Sequence, residues 1–207
     1  MYNPFTLEGK TILVTGAGGG IGRATAIACS KMGATLVVTD INAETLAETL
    51  SLLETEGDRN HLMFTADLTN DEALDKMVAE MPQLDGIVCN AGISKVLPIQ
   101  FLNTEDMNRI MAINAFAPMY MTQRLYKKKR INKGGSIVYT VSISGVSMVS
   151  MGGVMYAVSK SALDAFMRNA ALEFAARNIR VNSVNPSRVK TGLIQNSVYS
   201  EEEVAKD

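Results

Sequence analysis

Two side chains in this sequence could together move a proton near neutral pH. Tyr156 and Lys160 stand at i and i+4, so on a helix they share a face about one turn apart. A phenol ordinarily loses its proton near pH 10, too high for a base at neutrality. A neighbouring ammonium favours the phenolate. Bringing the phenol to about pH 7 takes roughly 4 kcal/mol of differential interaction, within reach of a dry site with a cationic cofactor nearby. Such a pair also decorates ordinary helix surfaces, so its meaning depends on its surroundings. Ser142 follows the strand-like run Ser136 to Val141, which places a hydroxyl at the sheet edge where doubly wound folds bind ligands. Asn114 lies in a helical stretch between Ile113 and Phe116. A polar amide among apolar neighbours needs a partner or exposure, and a helix-packing hydrogen bond is one such partner.

A second constellation lies near the N-terminus. Thr11-Ile-Leu-Val-Thr15 runs directly into Gly16-Ala-Gly-Gly-Gly-Ile-Gly22, and a helical pattern follows. Glycines let the backbone turn tightly and approach a diphosphate, whose charge is met by the helix N-terminus. The spacing of Gly16, Gly20 and Gly22 is GxxxGxG, which departs from the GxGxxG dinucleotide fingerprint. Asp40 follows the second strand-like run. A carboxylate there can accept both hydroxyls of an adenosine ribose and would repel a 2′-phosphate; the competing reading is a cap on the next helix. No Arg or Lys lies in the glycine loop and Ile41 is uncharged, so NAD(H) is expected over NADP(H).

The elements that must position these groups alternate along the chain. Strand-like runs fall at Thr11 to Thr15, Thr35 to Thr39, Leu62 to Ala66, Gly86 to Cys89, Ser136 to Val141 and Arg180 to Val184. Helical patterns lie at Ile21 to Met32, Ala43 to Glu56, Asp71 to Met81, Thr104 to Lys128 and Met155 to Arg177. Six strands with crossover helices predict one α/β domain, a doubly wound parallel sheet of Rossmann type with helices on both faces.

The motifs in this order resemble the short-chain dehydrogenase/reductase family from Leu7 to Thr191. Thr15 to Gly22 is similar to its TGxxxGIG loop, Ala66-Asp67-Leu68 to its adenine-binding aspartate, and Cys89-Asn-Ala-Gly92 to its NNAG motif with cysteine first. Asn114 resembles its helix asparagine and Tyr156-Ala-Val-Ser-Lys160 its YxxxK. Ser142 takes the place of its serine, with Ser144 the competing choice.

The resemblance implies roles for these residues. Tyr156 would be the general acid/base and Ser142 would steady the substrate oxygen. Lys160 would lower the phenol pKa and bind the nicotinamide ribose, while Asn114 would hold a water leading from the lysine to solvent. The implied cofactor contacts are Gly16, Gly19, Gly20, Ile21, Gly22, Asp40, Asp67, Leu68, Asn90, Ala91, Gly92, Tyr156, Lys160, Pro186 and Thr191. Two departures stand out. Pro186 is followed by Ser187 where the family has glycine, and the family continues past this chain's end with another strand and helix. Either this member is short or further chain follows Asp207, and residues 187–207 are expected to act as a substrate-loop lid.

The resemblance points to the 3-oxoacyl-carrier-protein reductase branch, with hydroxysteroid and sugar-alcohol dehydrogenases as neighbours. Asp40 counts against the first, which usually prefers NADPH. The substrate, a small-molecule carbonyl or alcohol, is expected between Ser94 to Leu102, Ile143 to Met155, and Val189 to Tyr199. There Met148, Met151 and Met155, with Val146, Val149 and Val154, either line the site or pack a loop. If they line it, an acyl chain or steroid-like ring suits better than a sugar or free acid. A homodimer or homotetramer through Thr104 to Lys128 and Leu163 to Phe174 is implied. A catalytically silent NAD-binding regulator is the rival from another class, though it need not keep Ser, Tyr and Lys together.

Composition sets the outer bounds. The 207 residues fit one domain, and Lys+Arg 20 against Asp+Glu 21 supplies no field for nucleic acid or an anionic membrane. Hydrophobic residues at 47% and charged ones at 20% fit a soluble globular core. Lys127 to Arg130 reads as a solvated helix end. Two cysteines and a single histidine, His61, argue against disulfides and metal. With no signal peptide and no apolar span long enough for a membrane, a cytoplasmic protein is expected.

Overall fold

A computed structural model of the chain describes residues 4–55 and 59–192. Six strands form one all-parallel sheet in the order β3-β2-β1-β4-β5-β6. They are β1 (Thr11–Thr15), β2 (Thr35–Asp40), β3 (Leu62–Thr65), β4 (Leu84–Cys89), β5 (Ile131–Thr140) and β6 (Arg180–Val184). The helices are α1 (Gly20–Lys31), α2 (Ala43–Ser51), α3 (Asp71–Glu80), α4 (Thr104–Met111), α5 (Ala117–Lys127), α6 (Ile143–Val146) and α7 (Val154–Phe174). Strand order reverses between β1 and β4, the crevice where such sheets bind ligands.

Alternation along the strands divides the core in two. Ile12, Val14, Leu36 and Val38 face α1 and α2 together with Ala26 and Leu46. Leu13, Val37, Ile87, Ile137 and Tyr139 face α3, α5 and α7 with Leu74, Met121, Leu125, Leu163 and Phe174. Both faces are covered, which is why the strands read as apolar runs rather than as one-sided stripes. At the β2–β3 edge, the His61 ring takes the Leu36 N–H on Nδ1 at 2.9 Å. Its Nε2 then carries the proton and donates to the Glu54 carbonyl at 2.8 Å. His61 is thus a structural strut.

Several boundaries differ from the sequence reading. The helix expected over Ala43 to Glu56 ends at Ser51, where Leu52 closes it. β5 begins at Ile131 and runs through the Gly134-Gly135 pair. The Lys127 to Arg130 run ends α5 as expected, but Lys129 turns the chain at φ 55 and Arg130 donates to the Ala79 carbonyl at 2.6 Å. Thr104 to Lys128 is not one regular helix, because a π-helical segment, Ala112–Phe116, separates α4 from α5. Of the expected lid over residues 187–207, residues 193–207 lie outside those described.

Candidate active site

β1 ends at Thr15, whose hydroxyl accepts the N–H groups of Asn90 at 3.0 Å and Ala91 at 3.1 Å. This pins the turn after β4 against the glycine loop. Gly16 sits at φ +64 with the Ala91 Cα only 2.7 Å from where a Cβ would stand. A Cβ on Gly22 would lie 2.0 Å from the Gly16 carbonyl oxygen. Neither position can hold a side chain, so the backbone itself forms the cradle. Gly19 caps α1 without a side chain, leaving the first-turn amides from Gly20 and Ile21 onward open to an anion. Thr191 lies over the loop, 3.2 Å from an ideal Cβ on Gly20, which is at φ +51.

Asp40 is half-buried at the end of β2. One carboxylate oxygen accepts the Gly18 N–H at 2.9 Å and the other the Asn42 N–H at 3.1 Å. The helix cap is Asn42, whose side chain accepts the Thr45 N–H, so Asp40 does not cap α2 and each of its oxygens keeps acceptor capacity. Asp67 accepts the N–H and hydroxyl of Thr69 at 2.9 and 2.7 Å, while Leu68 packs on the core. The residues present fit a dinucleotide: a side-chain-free cradle at a helix N-terminus, with a fixed carboxylate beside it.

On the other half of the sheet, Ser142 stands past the end of β5 as the N-cap of α6, its Oγ accepting the Ser144 N–H at 3.2 Å. Ser144 serves that cap through its backbone. The Ser142 hydroxyl also acts on the Tyr156 phenol, favouring its ionised form. Lys160 is buried in α7, with Nζ 5.7 Å from the Tyr156 ring centroid and donating to the Thr140 carbonyl at 2.7 Å. Asn114 completes the group from the π-helical segment. Its Oδ1 accepts the Ile93 N–H at 2.8 Å, and its Nδ2 donates to the Ile93 carbonyl at 2.9 Å and Ser159 Oγ at 3.0 Å. Ser159 in turn donates to the Tyr156 carbonyl at 2.7 Å. Asn114 thus makes the packing hydrogen bonds that the sequence left open, and a π-bulge of this kind often marks a functional position.

Burial sets the electrostatics. It pushes the Tyr156 phenol up, opposed only by the Ser142 hydroxyl. It pulls Lys160 down to about 8. Among the protein's own groups only Ser142 favours the phenolate, and burial outweighs it. Cys89, buried beneath the site, is pushed up to about 12 by burial and stays a neutral thiol.

Three groups received no role of their own in the sequence reading: Thr15, Ser159 and Gly145. Thr15 and Ser159 latch one motif to another, and their place inside the glycine-loop and YxxxK motifs is the only signal of that role. Gly145 brings α6 against α7: a Cβ there would lie 2.7 Å from Lys160 Cβ, and the Gly145 carbonyl accepts the Ser161 hydroxyl at 2.5 Å. Pro186 accepts the Ile143 N–H at 3.2 Å, tying the end of β6 to α6. Ser187 is not among the positive-φ residues, so serine costs no strain there. Met155 is a correction, since it is fully buried in the core and lines no wall. Met148, Val149 and Met151 remain exposed, Val149 at 94% and Met151 at 93%. Among the described residues, no group of three or more His, Cys, Asp or Glu could hold a metal. Nor is any helix there long and apolar enough to cross a membrane.

This chain belongs to the short-chain dehydrogenase family, which it matches over residues 10–202. It is an NAD(P)-dependent oxidoreductase acting on CH–OH groups and the corresponding ketones. It is 36% identical over 188 residues to the 3-oxoacyl-[acyl-carrier-protein] reductase FabG of Rickettsia bellii, spanning 90% of this chain and 76% of that protein. To the cyclopentanol dehydrogenase of a Comamonas species it is 33% identical over 190 residues, with 90% and 75% covered. A dehydrogenase/reductase structure from Sinorhizobium meliloti superposes at TM-score 0.87 and 29% identity over 97% of this chain and 80% of that one. Levodione reductase superposes at 0.82 and 28% over 91% and 75%.

Proposed function

We propose that this chain is an NAD(H)-dependent dehydrogenase of apolar secondary alcohols or ketones, with nucleotide and catalytic groups in one domain. The observation that carries the reading is the meeting of Ser142, Tyr156 and Lys160 beside the glycine cradle. When bound, the nicotinamide supplies or takes the hydride and, in its oxidised form, brings a positive charge. Tyr156 exchanges the proton with the substrate oxygen, and Ser142 hydrogen-bonds that oxygen as charge develops on it. Lys160 holds a buried positive charge beside the phenol, and Asn114 fixes the loop at Ile93 against α7.

Asp40 supports NAD(H). Its carboxylate is already oriented by two backbone amides, so ribose hydroxyls can donate to it while a 2′-phosphate would be repelled. Apolar residues support the substrate class. Val146, Met148, Val149 and Met151 in the segment that follows Ser142, and Ile99 and Phe101 in the segment that follows β4, are exposed, and the two segments are joined where the Leu97 N–H donates to the Gly152 carbonyl at 2.9 Å. Exposed Phe116, Tyr120 and Leu172 on the α5 and α7 side support a homodimer or homotetramer through those helices. Two free cysteines suit a reducing, cytoplasmic setting.

The test is steady-state reduction of alicyclic ketones, a 3-oxoacyl thioester and a keto-sugar, each with NADH and NADPH. NADH should be preferred by at least about tenfold in kcat/KM, and Tyr156→Phe should lower turnover by about 10²-fold or more. A preference for NADPH overturns the role of Asp40. Turnover retained in Tyr156→Phe overturns the catalytic assignment, and no turnover at all favours a silent regulator.

A further inference from the structure

A loop that binds an anion through backbone amides has a second problem besides clearing space. Its carbonyl oxygens carry negative partial charge, and any that rotates toward the ligand repels it. Between Gly16 and Gly19 every carbonyl is given a donor by the protein. Gly16 takes the Asn90 side-chain amide at 3.4 Å, and Gly19 takes the Arg23 backbone N–H at 3.0 Å. Ala17 takes the Thr49 hydroxyl at 2.8 Å, and Gly18 takes the Arg23 guanidinium at 2.6 Å.

Two of those donors point to α2. Arg23 leaves the first turn of α1 and, besides Gly18, contacts the Thr45 carbonyl at 3.0 Å, Glu48 at 2.9 Å and Thr49 Oγ1 at 2.9 Å. Thr49 is fully buried and its hydroxyl also reaches the Thr45 carbonyl at 3.1 Å. One planar fork therefore spans loop and helix, a geometry that an ammonium cannot reproduce. On the opposite side of the same residue the Gly18 N–H is taken by Asp40. A Cβ on Gly18 would stand 2.6 Å from Thr45 Oγ1 and 2.9 Å from Asp40 Cγ, so this stretch of loop is pressed flat against β2 and α2. The charge of Arg23 is balanced by Glu48, so its contribution is orientation rather than a free cation.

We propose that Arg23, assisted by Thr49, is the positioning residue of the diphosphate loop: it holds the Ala17 and Gly18 carbonyls toward α2 and thereby leaves the amide face to the ligand. The inference rests on reading Thr15 to Gly22 as a diphosphate loop. It predicts a specific pattern of affinities, because only ligands with phosphate feel the orientation of those carbonyls.

The experiment is calorimetric titration of adenosine, ADP and NADH into the wild-type chain, Arg23→Ala, Arg23→Lys and Thr49→Val, with thermal unfolding run alongside. Arg23→Ala should weaken ADP and NADH by about tenfold, the loss of roughly one net hydrogen bond to a charged group, and leave adenosine within about twofold. Arg23→Lys should not restore the loss. Thr49→Val, which frees the Ala17 carbonyl and takes one acceptor from Arg23 but leaves the Arg23 bond to Gly18 in place, should weaken the same two ligands by a smaller factor. The proposal is overturned if ADP binds Arg23→Ala as it binds the wild type, if adenosine weakens in step with ADP, or if lysine rescues fully. Should Arg23→Ala fail to fold, the ADP-to-adenosine ratio in Arg23→Lys and Thr49→Val decides the question. A wild-type chain that binds neither ADP nor NADH overturns the loop reading itself, and the role of Arg23 with it.

Discussion

Lys160 offers a sharp test, because its proposed chemical role and its structural cost have opposite signs. Burial pulls its pKa from an ordinary 10.5 to about 8, so keeping it charged at pH 7 costs the fold roughly 3 kcal/mol. Lys160→Met keeps the length and packing of the side chain and removes the charge. The substitution also forfeits the hydrogen bond to the Thr140 carbonyl, worth about 1 kcal/mol. The variant should therefore be more stable than the wild type at pH 7 by about 2 kcal/mol, or about 4–8 °C in Tm for a chain of this size, while losing its turnover. The pH dependence carries the stronger constraint. A lysine whose folded pKa lies below its unfolded value leaves the unfolded chain with more protons between pH 8 and 10.5, so wild-type stability rises with pH across that window. The methionine variant lacks that rise, and the gap between the two proteins should close towards pH 10.5. Denaturant unfolding of both proteins at pH 7, 8.5 and 10 measures it. A variant less stable than the wild type at pH 7, or a gap that does not change with pH, refutes the assignment of a desolvated ammonium.

Two further substitutions probe the framework. Gly145→Ala drives a methyl into Lys160 Cβ and the Ser161 backbone; it should cost about 1–3 kcal/mol in thermal unfolding and lower kcat at least about tenfold, leaving the NADH dissociation constant within about twofold. His61→Phe removes the acceptor of the buried Leu36 N–H; a loss of about 1–3 kcal/mol and faster hydrogen exchange at the Leu36 amide should follow, with kcat unchanged.

Much of the fold was legible because its signals are local. The run from Thr11 to Thr15 followed by glycines announces strand, turn and helix within a dozen residues, and the alternation of such units points to a parallel, doubly wound sheet. What was not legible depends on partners distant in sequence. Thr104 to Lys128 keeps its apolar period straight through Asn114, so nothing local signals the π-helical segment, and its partners Ile93 and Ser159 come from other elements. Met155 reads like Met148 and Met151, yet α7 turns it into the core while the other two stay exposed. Only the three-dimensional path of the chain separates them. Nothing around Arg23 in the sequence marks it out, and its fork towards α2 becomes visible only once α1 and α2 lie side by side.

The placement of hydrogen bonds around Tyr156 and Lys160 suggests why the site is built from neutral groups. A residue that must gain and lose a proton cannot also be the latch that holds its neighbours, since each turnover would release them. Here the latches are the Asn114 amide on the Ile93 backbone, Ser159 on the Tyr156 carbonyl, the Ser161 hydroxyl on Gly145 and Thr15 on Asn90 and Ala91. None of these groups titrates near neutrality. Lys160 belongs to none of the ion pairs among the described residues, and all six of those pairs involve other side chains. Its one hydrogen bond is to a carbonyl, which accepts from the ammonium and from the neutral amine alike. In the proposed mechanism, proton movement at the phenol and the lysine therefore leaves the framework's bonds intact, and burial can raise the one pKa and lower the other without loosening the geometry of the site.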